Sequence, residues 1–181
     1  MKLLIASDLH GSAYYTQMLL AREAQEAPEK LILLGDVLYH GPRNDLPRDY
    51  APKQVIAQLS PLAEKILCVR GNCDCEGDQM VLPFPVLADY GWLYLDGRTV
   101  YLTHGHVINK AHPLAFAKGD ILLHGHTHIP ACEDCGDFMY LNPGSVSIPK
   151  EGSAHSYMVY ENGVFCWKDL LTGERYLEYR L

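Results

Sequence analysis

Three times within the first seventy residues a short apolar run stops at a small polar group. Lys2 to Ser7 ends before Asp8, Lys30 to Leu34 before Gly35-Asp36, and Lys65 to Val69 before Arg70-Gly71-Asn72. Between them Tyr14, Met18 and Ala21 recur at helical spacing, and Pro52 to Leu59 reads as a second helix. Strands separated by helices need crossover connections, so this grammar predicts βαβ units and a largely parallel sheet.

After about residue 85 the texture changes. Leu93 to Leu95 and Thr99 to Thr103 flank Asp96-Gly97, a pair suited to a tight turn with positive φ, and predict a hairpin. Ile121 to Leu123 is a further strand. Phe138 to Leu141, Tyr157 to Tyr160, Val164 to Trp167 and Tyr176 to Tyr179 are short aromatic or β-branched runs, and they predict an antiparallel meander. No internal repeat or low-complexity linker interrupts the chain. The expected architecture is α/β: two packed sheets with flanking helices in one domain covering residues 1–181.

Composition narrows the function classes. The chain has 181 residues, 48% of them hydrophobic and 20% charged, enough to bury a sizeable core. Net charge is -7 and no block of Lys or Arg occurs, so nonspecific nucleic-acid binding is not expected. No apolar stretch approaches the roughly 20 residues of a membrane span. The amino-terminal MKLLIASDLHG lacks the length and cleavage site of a signal peptide, and six cysteines then read as reduced thiols, so the expected location is cytoplasmic. Trp167 and Tyr176 to Tyr179, read as exposed, suggest a homomeric contact.

The polar residues that can carry chemistry stand just past the predicted strand ends, where an open α/β sheet presents its crevice. Asp8 and His10 follow the first strand, Asp36 the second, Asn72 the third, His104 the hairpin, and His126 and His128 the strand from Ile121. Each fragment alone has an ordinary reading, Asp8 as a helix cap and Asp36 as a turn residue. Together they form a set of imidazole nitrogens and carboxylate or amide oxygens, which suits Mn, Fe, Zn or Ni better than Ca or Mg.

The ordered motifs D8-L-H10, G35-D36, G71-N72-C73-D74, H104-G105-H106 and G125-H126-T127-H128 resemble those of the calcineurin-like metallophosphoesterase family. "GDVLYHGPRNDLP", "VRGNCD" and "LNPGSVSIPK" resemble its small bacterial YfcE-type phosphodiesterases. The resemblance implies an αββα sandwich of two mixed sheets flanked by helices. It also implies two divalent transition metal ions, most simply Mn²⁺: one held by Asp8, His10, Asp36 and His128, the other by Asp36, Asn72, His104 and His126, with Asp36 as bridge. The activity implied is phosphodiester hydrolysis by in-line attack of a hydroxide shared between the ions, on a small phosphodiester substrate.

One departure matters. Many relatives have Gly-Asn-His where this chain has Cys73, and the missing imidazole is a general acid to the leaving group. A neutral thiol replaces it poorly, which predicts a preference for aryl-type leaving groups. Asp36 and Asn72 are placed among the catalytic residues with His106, for which a solvated loop histidine is the equal alternative. Arg70 is a weaker candidate for a substrate phosphate, Asp74 either orients the Cys73 position or caps a turn, and His40 and His112 have only proximity in sequence. Asn142 to Ser145 reads as structural, packed beneath the metal loops, and His124 as a neighbour within its strand. Cys73 and Cys75 with Cys132 and Cys135 match zinc-site spacing poorly, and Gly136 fits a hairpin turn after Cys135. A phosphomonoesterase or phosphoprotein phosphatase, and a noncatalytic scaffold on the same fold, are the competing functions.

Overall fold

The computed structural model describes residues 1–181. The elements run β1 (Lys2–Ala6), α1 (Ala13–Glu26), β2 (Lys30–Leu33), α2 (Pro52–Leu59), a 3₁₀ turn (Ser60–Lys65), β3 (Ile66–Cys68), α3 (Glu76–Gln79), β4 (Gly91–Leu95), β5 (Arg98–Thr103), β6 (Asp120–His124), β7 (Pro130–Asp134), β8 (Phe138–Pro143), β9 (Ser156–Glu161), β10 (Val164–Asp169) and β11 (Arg175–Arg180). They build two mixed sheets, in the orders β11-β10-β9-β1-β2-β3 and β4-β5-β6-β8-β7. Within the first, β1, β2 and β3 are parallel and β9 joins β1 antiparallel. Within the second, β5, β6 and β8 are parallel.

The alternation of side chains along β1 explains why its run is continuously apolar. Leu3 and Ile5 point into the layer between the sheets, with Ile32, Ile121, Leu123 and Met158. Leu4 and Ala6 point the other way, into a second layer closed by Leu19 of α1 and by Val55 and Leu59 of α2. A strand buried on both faces has no polar positions to alternate. On the outer face of the second sheet, Ile108 and Phe116 from the irregular segment 104–119 pack on Leu122, Phe138 and Tyr140.

Two sequence expectations need correction. The antiparallel meander has three strands, β9, β10 and β11, because Phe138 to Leu141 belongs to β8 in the other sheet. β8 is paired parallel to β6 and closed by a hairpin with β7, whose turn holds Cys135 and Gly136. Trp167 is not exposed: it is fully buried between the sheets, opposite Met158, and its Nε1–H donates to the Asn142 carbonyl at 2.6 Å. Tyr176 on the edge strand β11 does reach solvent.

Candidate metal centre

The carboxyl ends of β1, β2, β3, β5 and β6 meet at one rim, and the chain turns sharply as it leaves them. Five of the proposed ligands have positive φ: Asp8 at 58°, His10 at 47°, Asp36 at 55°, His126 at 65° and His128 at 63°. Such backbone is uncommon outside glycine, with Asp and His among the residues that tolerate it best. Its cost is offset by hydrogen bonds between the rim segments, Asp8 N–H to the Gly35 carbonyl at 3.1 Å and His10 N–H to the Asp36 carbonyl at 2.9 Å. Gly71 and Gly125 permit the close approach: a Cβ at Gly71 would lie 2.1 Å from Asp36 Oδ1, and one at Gly125 would lie 1.9 Å from Ser7 Oγ.

Two groups of side-chain atoms result. In the first, Asp8 Oδ1 is 3.3 Å from His128 Nε2 and 3.6 Å from His10 Nε2, while His10 Nε2 is 3.7 Å from Asp36 Oδ2. In the second, His104 Nε2 lies 3.3 Å from Asp36 Oδ2, 3.1 Å from Asn72 Oδ1 and 3.2 Å from His126 Nδ1. Asp36 is common to both. All seven proposed ligands, Asp8, His10, Asp36, Asn72, His104, His126 and His128, therefore converge.

The backbone fixes which imidazole atoms face inward. His10 Nδ1–H donates to the Tyr39 carbonyl at 2.8 Å, His104 Nδ1–H to Leu34 at 2.7 Å, and His128 Nδ1–H to Ile148 at 2.6 Å. A carbonyl only accepts, so each of these rings in its neutral form turns a bare Nε2 lone pair into the site, the arrangement characteristic of metal-ligating histidine. His10 Nε2 and His128 Nε2 stand 3.2 Å apart. Two lone pairs at that distance repel unless a cation sits with them. Asp8 Oδ1 adds the same demand, since it is fully buried and makes no hydrogen bond. The donor set thus fits divalent transition metal ions.

Electrostatics agree. Burial opposes ionisation of Asp8, yet His10 and His128 hold its carboxyl well below the usual range. Burial also pulls His104 down, but the hydrogen bond to Asp36 and the charges of Asp8 and Asp36 prevail and raise it to about 9. His126 is pushed down to about 4 by burial and by His104.

The neighbours sort themselves by contact. Asp74 is buried, and its carboxylate accepts from Asp36 N–H at 2.8 Å, Val37 N–H at 2.9 Å and Gly71 N–H at 2.7 Å. It fastens the Asp36 and Asn72 segments to each other. Ser145 Oγ and Ser147 Oγ both donate to the Asp8 carbonyl at 2.9 Å, and Asn142 Nδ2 donates to the Gly125 carbonyl at 2.8 Å, so the Asn142 to Ser145 run does lie against the metal loops. Ser147 carries no signal in the sequence beyond following that run. His124 stacks on Tyr140 and donates Nδ1–H to Gly125, outside both groups. Arg70 turns its Nε to the Asp74 carbonyl, 3.2 Å away. His106 is exposed beside His104, with ring centroids 5.4 Å apart. His40 packs edge-on against Tyr39 and Tyr50, and His112 is exposed in the 104–119 segment. Cys73 is grouped with His10 and Asp36, whereas Cys132 lies on β7 and Cys75 is exposed.

A fold of this kind with this rim of ligands defines a metallophosphoesterase, and the family model for the calcineurin-like phosphoesterase superfamily domain matches residues 1–162. The chain belongs to that superfamily. Among individual proteins, it is 47% identical over 164 residues to phosphodiesterase YfcE of Escherichia coli strain K12, covering 91% of this chain and 89% of that protein. A solved structure of YfcE, described as a phosphoesterase from E. coli, superposes with a TM-score of 0.96 at 43% identity and 99% coverage of both chains. The probable metallophosphoesterase YsnB of Bacillus subtilis is 26% identical over 88% of this chain and 83% of its own length. A Vps29 variant from Entamoeba histolytica shares the fold at 21% identity, with a TM-score of 0.66, covering 100% of this chain and 99% of its own.

Proposed function

We propose that the protein is a metal-dependent phosphodiesterase that uses two divalent ions. The observation that carries this reading is the pair of ligand groups sharing Asp36, together with the orphaned Asp8 Oδ1 and the facing histidine lone pairs. The relationship to a named phosphodiesterase over nine-tenths of the chain supports the choice of diester over monoester. Two bound ions would supply an activated water and neutralise charge on the phosphoryl oxygens, the chemistry of in-line displacement. Asp8, His10, Asp36 and His128 would hold one ion and Asp36, Asn72, His104 and His126 the other. A carboxylate is the fitting bridge because its charge offsets repulsion between adjacent dications. Manganese is the ion we assign by family likeness.

Beside His126 and His106 runs an open groove of about 450 Å³, walled by Ile129, Pro130 and Ala131 with Lys110 at its edge. Its apolar wall suits a small aryl ester arm, in keeping with the aryl preference inferred from Cys73, and a small phosphodiester is the substrate class assigned. The location assigned is the cytoplasm: all six cysteines are unpaired, and no helix is long and apolar enough to cross a membrane. A homomeric contact at the β11 edge would involve Tyr176 rather than Trp167.

The deciding experiment is a matrix of divalent metals against aryl and alkyl mono- and diesters, with Asp36→Asn as control. The expected result is activity on aryl diesters only with transition metals, lowered about 10²-fold or more by Asp36→Asn, with less than one metal bound per chain. A metal-replete wild type that cleaves monoesters faster would favour the phosphatase reading. A chain that binds no transition metal and cleaves nothing would favour the scaffold.

A further inference from the structure

A phosphodiester has two arms, and tetrahedral phosphorus sends them in different directions. The groove walled by Ile129, Pro130 and Ala131 has room for one of them. A second groove, of about 310 Å³, is walled by Tyr90, Val107 and Ile108. The two grooves have Gly105 and His106 in common and no other lining residue, so His106 stands between them. Each also reaches one of the histidines assigned to the same ion, His126 in the first groove and His104 in the second. Those two rings meet with His104 Nε2 3.2 Å from His126 Nδ1, and the His106 ring lies 5.4 Å from His104 and 6.3 Å from His126 between centroids. In the second groove Tyr90 and Val107 are 51% and 65% exposed, which leaves apolar area for a ligand to cover. Charge limits what that ligand can be. Lys110 is the one Lys or Arg that lines either groove, and Glu133 holds it at 2.7 Å. The second groove has Asp89 in its lining and no cation. An arm that carries a further anionic group meets a neutralised lysine on one side and a carboxylate on the other.

We propose that the two grooves hold the two ester arms of one substrate molecule, divided by His106, and that the substrate is a small diester with a single phosphate and two uncharged, largely apolar arms. The proposal rests on the phosphodiesterase reading above and names its substrate class. A monoester fills at most one groove, so the second supplies binding energy that only a diester can use. An internal linkage of an oligonucleotide carries further phosphates in both arms, and the lining of each groove opposes them. Tyr90 and Val107 are then the specificity-determining side chains for the second arm, as Ile129 and Pro130 are for the first. His106 is a positioning residue that keeps the arms apart.

The test uses diphenylphosphinate, a monoanion whose two rings are bonded to phosphorus through carbon and cannot be hydrolysed. Bound to the full chain loaded with zinc, which is diamagnetic, it should give nuclear Overhauser contacts from its rings to the methyl groups of both Ile129 and Val107. Steady-state assays of the metal-replete enzyme then compare bis(4-nitrophenyl) phosphate with methyl 4-nitrophenyl phosphate. Tyr90→Ser and Val107→Ser, both at exposed positions, should each lower the ratio of kcat/KM for the first over the second by about tenfold, through KM. Ring contacts confined to one of the two side chains, no binding of the phosphinate, or a ratio that neither variant moves would overturn the two-groove assignment. Preference for a 4-nitrophenyl diester with a carboxyethyl arm over one with an ethyl arm would overturn the uncharged substrate class. Failure of the underlying reading looks different: zinc that does not bind, or a bis-aryl ester left uncleaved with every divalent metal, removes the phosphodiesterase and this inference with it.

Discussion

His104 lies where the two ligand groups meet, its Nδ1–H committed to Leu34 and its Nε2 facing Asp36, Asn72 and His126. Without metal, a proton is the cation this cluster can take, which is why the ring rises from 6.5 to about 9 against its burial. The folded state then holds that proton more tightly than the unfolded chain, so its stabilisation is fully present below about pH 6.5 and is lost as pH rises through about 9. His124 and His126 are displaced the other way, to about 4, chiefly by burial. Their contribution is present above 6.5 and is lost as pH falls through about 4. The metal-free protein should therefore have a thermal midpoint that declines in both directions from near neutrality, and His104→Gln should flatten the alkaline side. A pH series of melts in chelator measures this; a midpoint level from pH 6.5 to 9 would contradict it. At Cys73, restoring an imidazole should raise turnover of alkyl esters more than of aryl esters, by up to about 10²-fold if general acid catalysis returns. Equal gains on both, in parallel assays of Cys73→His, would count against the leaving-group argument.

At the scale of elements, the strand ends carry the site. They are legible in the sequence because an apolar run that breaks off at Asp, Asn or His marks the point where a buried strand emerges at a polar rim. β1 and β2 end one residue short of the sequence pattern and α2 coincides with Pro52 to Leu59, whereas α1 runs on to Glu26, five residues past Ala21. β7 is not legible: it begins at Pro130 and ends in Glu133-Asp134, as an edge strand tolerates. Which sheet a short strand joins is also hidden, because Phe138 to Leu141 has the same local character whether it pairs with β6 or with β9. Trp167 reads wrongly as exposed for a related reason, since only the register opposite Met158 shows which face of β10 turns inward. Asp74 has two alternative roles in the sequence reading, and the structure shows the capping one, since its carboxylate takes three backbone N–H groups while the Cys73 N–H goes to Asp36. Asp74→Ala would strand the N–H groups of Asp36, Val37 and Gly71, a loss of about 3 kcal/mol or more. For a chain of this size that is a fall in thermal midpoint of roughly 6 to 12 °C. Calorimetry with and without metal checks it, and the variant should bind metal more weakly as well, because the Asp36 and Asn72 segments are no longer fastened together.

Taken as a whole, the molecule is two sheets joined by an apolar layer, and the family match ends at residue 162, just before β10. With a net charge of -7, the proposed site would attract an anionic substrate through bound ions rather than through protein charge. Ligand binding to the folded state alone adds about 2.7 kcal/mol at a hundred times its dissociation constant. Saturating metal should accordingly raise the thermal midpoint by roughly 5 to 10 °C, and Asp36→Asn should abolish most of that rise. Differential scanning fluorimetry across a metal titration measures it; a midpoint insensitive to metal would contradict a structural part for the ions. The reason lies in where the ligands come from. Asp8, His10, Asp36 and Asn72 follow strands of one sheet, and His104, His126 and His128 follow strands of the other. Ions held between them would act as a clasp across the open rim of the sandwich. With the clasp undone, the five strand ends should exchange their amide hydrogens sooner than α1 does, and the loosened rim becomes the first place a protease can cut. Metal supply would then govern how long each copy of this protein lasts as well as how fast it works.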